Sequence, residues 1–301
     1  MTIGVLVMAY GTPGSPEAIE PYYTRIRHGR PPTPELLHEL TGRYQQIGGT
    51  SPLAERTADQ VAALARRLDE RSPGVFDVRF ASKYEPPMIE DVAPGFAADG
   101  ITRVIGLVLA PHSSSMSTDQ YFDRARASLG ESMEFSPIDS WWSRDDFIDV
   151  IARRVESVLS RVPDEAREST EVVFSAHSLP VKILEKGDTY PDQIRESARR
   201  VAETLGLPRW DTAWQSAGRT ADPWLGPDIL DVLRSKKNEG VSHLISCPIG
   251  FVSDHLEVLF DIDIQAAQLA EEIELTLWRT PSLNADPDFI DVLAGVVEER
   301  V

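Results

Sequence analysis

One histidine in this chain has a position suited to proton transfer or metal binding. His177 follows the apolar run 171–176, which is typical of a buried strand, and the Leu-Pro pair at 179–180 then takes the chain out of the sheet. Imidazole accepts a proton near neutral pH and binds borderline metals through a ring nitrogen. A histidine at a strand end can also serve only as a local hydrogen-bonding group. The sequence pattern leaves the choice between these roles open.

A group of acidic residues follows the last apolar strand pattern. The segment 254–265 has helical periodicity, with Asp254, Glu257, Asp261 and Gln265 at positions i, i+3, i+7 and i+11. These side chains share one stripe of the predicted α-helix, and the rest of that helix is mainly apolar. Carboxylates on such a stripe, with His177 nearby, would hold a divalent cation or pass protons. The first two acidic groups would also be stabilised by the helix N-terminus without any function, and the pattern alone does not decide.

The motifs of several common enzyme classes are missing. No G-x-G-x-x-G follows a predicted strand, and neither G-x-x-x-x-G-K-[ST] nor G-x-S-x-G occurs. The segment 214–227 carries two tryptophans and several turn-forming residues, which is typical of a packed loop. Dinucleotide, P-loop and α/β-hydrolase chemistry therefore lose support.

Short apolar runs set the scaffold that must position these groups. Runs rich in Val and Ile occupy 3–9, 103–110, 171–176 and 241–247, with a weaker run at 76–81, and helical patterns lie between them. This alternation predicts an α/β fold with mostly parallel sheets and helices on both faces. One helix has clear boundary signals: Ser51 can cap it, Pro52 suits its first position, and its apolar spacing continues to about Glu70.

The two halves of the chain share one pattern. The strand at 3–9 is followed by Tyr10-Gly11-Thr12-Pro13, and the strand at 171–176 is followed by His177 and two serines. Open α/β sheets bind ligands at the carboxyl ends of their strands. We therefore predict two similarly built domains, 1–150 and 151–301, with a cleft between them, and a final helix at about 286–300 that packs back on the first domain.

Composition excludes some partners. Asp and Glu total 48 against 30 Lys and Arg, a net charge of -18, which disfavours nucleic acid and anionic membranes. The single cysteine, Cys247, excludes a disulfide framework and an iron–sulfur cluster held by four thiolates. The chain enters a predicted strand at once, without a signal-peptide pattern, and has no apolar run of about 18 residues. We expect a cytoplasmic protein, a monomer, without membrane insertion.

Seven segments together resemble the ferrochelatase family, and they extend through nearly the whole chain. They are Val-Met-Ala-Tyr-Gly-Thr-Pro at 7–13, Arg-Tyr-Gln-Gln-Ile-Gly-Gly-Thr-Ser-Pro-Leu at 43–53, Leu-Ala-Pro-His at 109–112, Ser-Ala-His-Ser-Leu-Pro at 175–180, Trp-Gln-Ser at 214–216, Asp-Pro-Trp-Leu-Gly-Pro at 222–227 and Gly-Phe-Val-Ser-Asp-His-Leu-Glu-Val-Leu-Phe-Asp at 250–261. The resemblance implies two Rossmann-like domains with four-stranded parallel sheets and a porphyrin cleft between them. It also implies an enzyme that inserts ferrous iron into a porphyrin.

The resemblance assigns roles to particular residues. It places His177 and Glu257 across the cleft from each other as ligands of the incoming iron. Within the family the chain is most similar to the short Gram-positive enzymes that act on coproporphyrin III, in which Tyr10 would approach the metal from the opposite face. Arginine and hydroxyl donors suit the propionate carboxylates. The implied porphyrin contacts are Tyr10, Arg27, Arg43, Tyr44, Ser51 and Tyr121.

We also predict a relay, and the chain departs from the family pattern at two positions. Asp254, Asp261 and Lys83 would pass protons or metal to the centre, and iron would be a substrate, with no prosthetic group. Gln265 stands where relatives often have a carboxylate, and Tyr84 stands where they often have histidine. The alternatives are a protoporphyrin IX ferrochelatase, a chelatase of the cobalt or nickel type, and a haem- or metal-binding module without catalysis. The last would be expected to lack His177 or Glu257.

Overall fold

The computed structural model describes residues 2–220 and 222–301, and they form two four-stranded parallel sheets. The first sheet has the strand order β2-β1-β3-β4 and the second has the order β6-β5-β7-β8. The strands are β1 Ile3–Ala9, β2 Phe76–Ser82, β3 Arg103–Val108, β4 Glu134–Ile138, β5 Thr170–His177, β6 Trp210–Gln215, β7 His243–Cys247 and β8 Thr276–Arg279.

Helices connect the strands. The α-helices are α1 Ile19–Ile26, α2 Pro34–Gln46, α3 Leu53–Arg71, α4 Ile89–Val92, α5 Pro94–Ala98, α6 Thr118–Leu129, α7 Asp145–Leu159, α8 Tyr190–Leu205, α9 Ile229–Asn238, α10 Ala267–Glu272 and α11 Pro287–Glu298. Short 3₁₀ segments lie at Pro16–Ala18, Asp164–Ser169 and Val181–Lys186, and a π-helix at Val258–Ala266 precedes α10. None of the helices in these two ranges is both long and apolar enough to cross a bilayer.

The predicted fold class is confirmed, and the part of the chain that the structure describes contains eight strands where the apolar runs indicated five. The four central strands β1, β3, β5 and β7 and the edge strand β2 coincide with those runs. The three strands without an apolar run, β4, β6 and β8, lie at sheet edges. A central strand is buried on both faces and is therefore continuously apolar, whereas an edge strand carries polar residues that weaken its signal.

One apolar core extends across both sheets. It includes side chains beneath the first sheet, such as Val5 and Leu64, and beneath the second, such as Phe174 and Ile245. Helices α7 and α11 contribute Phe147 and Phe289, and the indole of Trp141 lies against both rings. Because the two sheets share this core, their packing fixes the position of one sheet relative to the other. The groups at the carboxyl ends of the two sheets are thereby held in place relative to each other.

The last helix lies against α3 of the first half. Arg71 donates to Asp291 at 2.6 Å and to Glu298 at 3.0 Å, and Arg67 lies 3.0 Å from Asp291. Helix α3 begins at Leu53, one residue later than predicted, so Pro52 and not Ser51 is its N-cap residue. The hydroxyl of Ser51 still accepts the amide proton of Leu53 at 3.3 Å. Residue 150 lies inside α7, which connects the last strand of the first sheet to the first strand of the second sheet along the chain. The predicted domain boundary at residue 150 stays a prediction.

Candidate active site

His177 is the last residue of β5. Its Nδ1–H donates to the carbonyl of Ser178, which leaves Nε2 directed into the space beyond the strand. Tyr190 at the start of α8 donates from its hydroxyl to the carbonyl of His177 at 3.1 Å. The Ser178 carbonyl therefore orients the ring, and Tyr190 holds the backbone of His177. The other ring nitrogen, Nε2, remains for a ligand or a proton.

Glu257 lies beside the available nitrogen of His177. The Nε2 atom of His177 is 3.4 Å from Oε1 of Glu257, and one third of each side chain is exposed. On the other side of the same carboxylate, Nε2 of His255 lies 3.5 Å from Oε2. The arrangement is an imidazole, a carboxylate and a second imidazole in a row, and the residue pattern alone did not indicate the part of His255.

The His177–Glu257 pair carries opposite charges in this state. Burial alone would lower the pKa of His177, but the Glu257 carboxylate outweighs burial and raises that pKa to about 9. Burial would likewise raise the pKa of Glu257, yet His177 and His255 hold it well below its usual range. Near pH 7, both ring nitrogens of His177 are therefore protonated, and Nε2 must release its proton before it can bind a metal.

The acidic stripe is not on an α-helix, and that prediction is wrong in its geometry. The helix begins at Leu256, so Asp254 precedes it, and residues Val258–Ala266 form a π-helix. The i→i+5 hydrogen bonds of a π-helix widen each turn and change which residues share a face. Such segments occur frequently at functional sites. Here the π-helix begins immediately after Glu257.

Asp254 is bound within the loop before that helix. Its carboxylate accepts hydrogen bonds from Ser282 at 2.7 Å and from Asn284 at 2.9 Å, and Nη1 of Arg279 lies 3.3 Å away. Burial alone would raise the pKa of Asp254, but Asn284, Ser282 and Arg279 together lower it. These contacts hold the loop in place, and none of them leads to Glu257. The relay role of Asp254 stays a prediction that its contacts do not support.

Asp261 lies deeper in the same helix and is 6% exposed. Ser216 donates a hydrogen bond to its carboxylate. Burial and the nearby charge of Glu257 raise the pKa of Asp261 to about 6, against the opposing effect of Ser216. The backbone of Ser216 has φ 61°, a conformation that a non-glycine residue rarely adopts. A carboxyl group that titrates near neutral pH can both accept and release protons here.

Gln215 ties β5 to the start of the π-helix. Its Oε1 accepts a hydrogen bond from Ser175 at 2.9 Å, and its Nε2 donates to the carbonyl of Glu257 at 3.3 Å. Gln215 pairs with His177 across the β5–β6 ladder. The segment predicted as a packed loop therefore begins with the end of β6, and its Gln-Ser pair supports both Glu257 and Asp261. The Trp-Gln-Ser motif belongs to the family resemblance, but the sequence pattern assigned no role to Gln215 or Ser216.

Tyr10 follows β1 at the corresponding end of the first sheet. Its side chain is 42% exposed, and its ring meets the ring of Tyr84 edge-on at 4.8 Å. Burial of the phenol among the neighbouring residues and, less strongly, the charges of Tyr84 and Glu257 raise the pKa of Tyr10 well above its ordinary value. Its hydroxyl therefore keeps its proton at neutral pH. Gly11 has φ 90°, and a Cβ there would lie 2.9 Å from Oγ of Ser82, so this turn requires glycine.

Lys83 follows β2, next to Tyr84, and is a buried cation with 4% of the residue exposed. Its Nζ lies 4.8 Å from the centre of the Tyr121 ring and 5.2 Å from that of Tyr84, and it donates to Gln120 at 2.7 Å. Burial and the charge of Arg124 lower the pKa of Lys83 to about 8. Lys83 can therefore exchange a proton near neutral pH, but its bonds direct it toward α6.

The other implied porphyrin contacts divide into exposed and buried groups. Arg27 and Arg43 are partly exposed: Arg27 lies over the Tyr23 ring at 5.7 Å, and Arg43 over the Phe260 ring at 5.1 Å. The buried group comprises Tyr44, Ser51 and Tyr121, which are 2%, 7% and 4% exposed. The hydroxyl of Tyr44 is 3.3 Å from that of Thr12.

Comparison with known proteins decides the family. The Ferrochelatase family model matches residues 2–301. The chain belongs to the ferrochelatase family. A protein of Herpetosiphon aurantiacus named ferrochelatase is 44% identical over 296 residues, covering 97% of each chain. A protein of Geobacillus sp. named coproporphyrin III ferrochelatase is 44% identical over 304 residues, covering 99% of this chain and 98% of the relative.

A solved chelatase shares the fold of this ferrochelatase family member. The SirB protein of Bacillus subtilis, solved with Fe³⁺, superposes with a TM-score of 0.61 over 99% of this chain and 95% of its own. Its sequence identity is 12%, so the likeness concerns the fold alone. It confirms the predicted chelatase architecture of two parallel sheets flanked by helices.

The candidate metal ligands of this ferrochelatase, His177 and Glu257, form a sparse set. Among residues 2–220 and 222–301, no three or more His, Cys, Asp or Glu side chains are grouped so that they could hold a metal ion. The His177–Glu257 pair offers one nitrogen and one carboxylate. Two donors can meet an ion whose remaining ligands come from elsewhere, which is what transfer to a tetrapyrrole requires.

Proposed function

We propose that this ferrochelatase inserts Fe²⁺ into coproporphyrin III and forms coprohaem. The observation that carries the proposal is the ion pair between His177 and Glu257, 3.4 Å apart at the carboxyl end of β5. The charge of Glu257 also helps to raise the pKa of Tyr10, which follows β1 of the first sheet. A metal-binding imidazole and a carboxylate then work on one side of the porphyrin plane. Tyr10 works on the other side, as the distal ligand of product iron.

The reaction replaces two pyrrole N–H protons with one Fe²⁺ ion, so two protons must leave. Fe²⁺ competes with the proton on Nε2 of His177, and the released proton needs an acceptor. The Glu257 carboxylate is adjacent, and Asp261 titrates near pH 6 one turn further into the helix. In this proposal His177 binds iron and accepts pyrrole protons in turn, while Asp261 accepts the released protons one at a time and passes them to solvent.

The macrocycle must also bend so that its nitrogen lone pairs reach the metal. We propose that the cleft walls supply this bend with binding energy from the ring faces and the propionates. The walls suit this work because they are well packed: Tyr44 and Tyr121 are buried, and the two sheets share one core. The partly exposed Arg27 and Arg43 provide the partners for propionates.

The choice of coproporphyrin III over protoporphyrin IX rests on charge. Coproporphyrin III has four propionates, whereas protoporphyrin IX has two propionates and two vinyl groups. Relatives at 42–44% identity, from Geobacillus and Bacillus subtilis among others, are named for coproporphyrin III. Arginine donors at the cleft favour the more anionic porphyrin. A cytoplasmic location stays a prediction, as does a monomeric state, which a net charge of -18 favours.

Anaerobic metallation tests the proposal directly. The purified chain is mixed with Fe²⁺ and either coproporphyrin III or protoporphyrin IX, and absorbance follows product formation. We expect faster insertion into coproporphyrin III. Faster insertion into protoporphyrin IX would overturn the substrate assignment, and tight porphyrin binding without any insertion would indicate a binding module instead.

A further inference from the structure

One carboxylate joins the two halves of the molecule beside the cleft. Glu39 on α2 accepts a hydrogen bond from Nη2 of Arg43 through its Oε1 at 2.8 Å. Its other oxygen, Oε2, forms an ion pair with Nη1 of Arg219. Arg43 belongs to the first half, whereas Arg219 lies in the segment after β6 of the second half. Each oxygen of one carboxylate thus takes a guanidinium from a different wall.

These groups line a cavity of about 430 Å³, together with His38, Gln46, Phe260 and Gln265. Phe260 and Gln265 belong to the π-helix that begins after Glu257. Arg43 also lies over the Phe260 ring at 5.1 Å. Its charge is one of the effects that oppose the rise in the pKa of Asp261. The cavity is therefore lined in part by the π-helix that follows Glu257.

We infer that Glu39 holds the place of a porphyrin propionate, and that Arg219 is a propionate-binding residue supplied by the second half. The inference rests on the proposed function and adds a residue that the sequence resemblance did not assign. When the porphyrin enters, one of its propionates replaces the Glu39 carboxylate between Arg43 and Arg219.

The chemistry of the two carboxylates supports the exchange. A propionate and a glutamate side chain end in the same group, so two guanidiniums arranged for one are arranged for the other. Neither Glu39 nor the arginines are deeply buried: Glu39 and Arg43 are 28% and 30% exposed, and Arg219 is 67% exposed. Exposed ion pairs are weak, so the exchange requires little energy.

Charge explains why a resident carboxylate is useful. The protein has a net charge of -18, and the porphyrin proposed here carries four propionates. Such a ligand needs local cations. Two guanidiniums from facing walls would repel each other without an anion between them, and Glu39 keeps them together until a propionate arrives. Glu39 therefore competes with the substrate while holding its site in shape.

Four variants and binding measurements test this exchange. Fluorescence quenching gives the Kd for coproporphyrin III of Arg219→Gln, Arg219→Lys, Glu39→Gln and the double variant Glu39→Gln/Arg219→Gln. Arg199→Gln and Glu203→Gln are matched controls, because they make the same charge changes at an ion pair within α8. Thermal unfolding of each variant checks that it is folded.

We expect Arg219→Gln to raise the Kd for coproporphyrin III about three- to fivefold, since an exposed ion pair is worth up to about 1 kcal/mol. The Kd of Arg219→Lys should lie between those of the wild type and Arg219→Gln. Glu39→Gln should lower Kd by about twofold or more, because the propionate no longer competes with a charged group. The double variant should lose most of this gain. The two control variants should bind as the wild type does.

Two results would overturn the inference. If Glu39→Gln weakens binding as much as Arg219→Gln, Glu39 only positions the arginines; if Arg219→Gln matches Arg199→Gln, Arg219 does not touch the ligand. Iron insertion by the wild type is measured separately. A wild type that binds coproporphyrin III but inserts no iron refutes the proposed function, while the Kd comparison still decides the exchange; a wild type that does not bind refutes both.

Discussion

The Nε2 atom of His255 lies 3.5 Å from Oε2 of Glu257, on the side of the carboxylate away from His177. The Nδ1 atom of His255 lies 3.0 Å from the carbonyl oxygen of Ser253, and its ring lies 4.8 Å from that of Phe251. His255 is thus held by its own loop and can orient Glu257. It is a positioning residue, because Glu257 stands between it and His177.

Replacing His255 should slow iron insertion without weakening porphyrin binding. Loss of a group that orients a metal ligand typically costs tenfold or more in activity or metal affinity, so we expect about a tenfold loss of kcat/KM in His255→Ala. His255→Gln keeps an N–H donor and should recover part of the loss. An unchanged rate in His255→Ala would show that Glu257 is oriented by its backbone alone, and a raised Kd for coproporphyrin III would indicate a structural role.

His177→Ala should abolish iron insertion and leave coproporphyrin III binding nearly intact, because its proposed role is chemical. General acid–base catalysis contributes at least about a hundredfold, so a variant that retains more than about a tenth of wild-type turnover would refute the role. Glu257→Gln should behave similarly. Normal metallation by Glu257→Gln would mean that its carboxylate is only a charge at a helix end.

The titration of His177 should depend on Glu257. A carboxylate stabilises the imidazolium, so the raised pKa of about 9 should fall in Glu257→Gln, where burial favours the neutral ring and only the Ser178 carbonyl and the Asp261 charge still oppose it. NMR titration of the His177 ring in the metal-free protein measures this shift. Asp254→Asn removes a nearby charge without removing the partner and serves as the control. A pKa near 6.5 in the wild type would contradict the ion pair.

Asp261 and Asp254 should respond differently to the same substitution. Asp261→Asn removes a group with a pKa of about 6, so kcat should fall at pH 7 and the dependence of kcat on pH around 6 should disappear. Asp254→Asn should leave kcat unchanged and lower the free energy of unfolding by about 1–3 kcal/mol, since its charge-assisted bonds to Ser282, Asn284 and Arg279 are weakened. Equal losses of kcat in both variants would restore Asp254 to the relay.

Arg27→Ala and Arg43→Ala should weaken coproporphyrin III much more than a neutral porphyrin ester. A well-formed charge-assisted contact is worth about 1.5–3 kcal/mol, which corresponds to roughly tenfold or more in affinity. Paired Kd measurements on the acid and the ester check this difference. Equal losses for the two ligands would show that these arginines stabilise the fold instead of holding propionates.

The sequence by itself determined the fold class and the family of this protein. Central strands such as β1 and β5 are buried on both faces, so their residues must be continuously apolar and their pattern is visible in any context. His177 could be found because a polar group directly after such a strand lies at the ligand-binding edge of the sheet. Ser51 could be placed before α3 because a helix start has local chemical requirements.

Only the tertiary structure decided the geometry around these groups. The π-helix after Glu257 is not visible in the residue spacing, so an α-helical spacing placed Asp254 with the wrong neighbours. His255 and Gln215 reach Glu257 from a loop and from an edge strand, and no periodicity connects those positions. The contact of Glu39 with Arg219 joins residues 180 positions apart, and such pairing arises only when the two walls of the cleft are brought together by their common core.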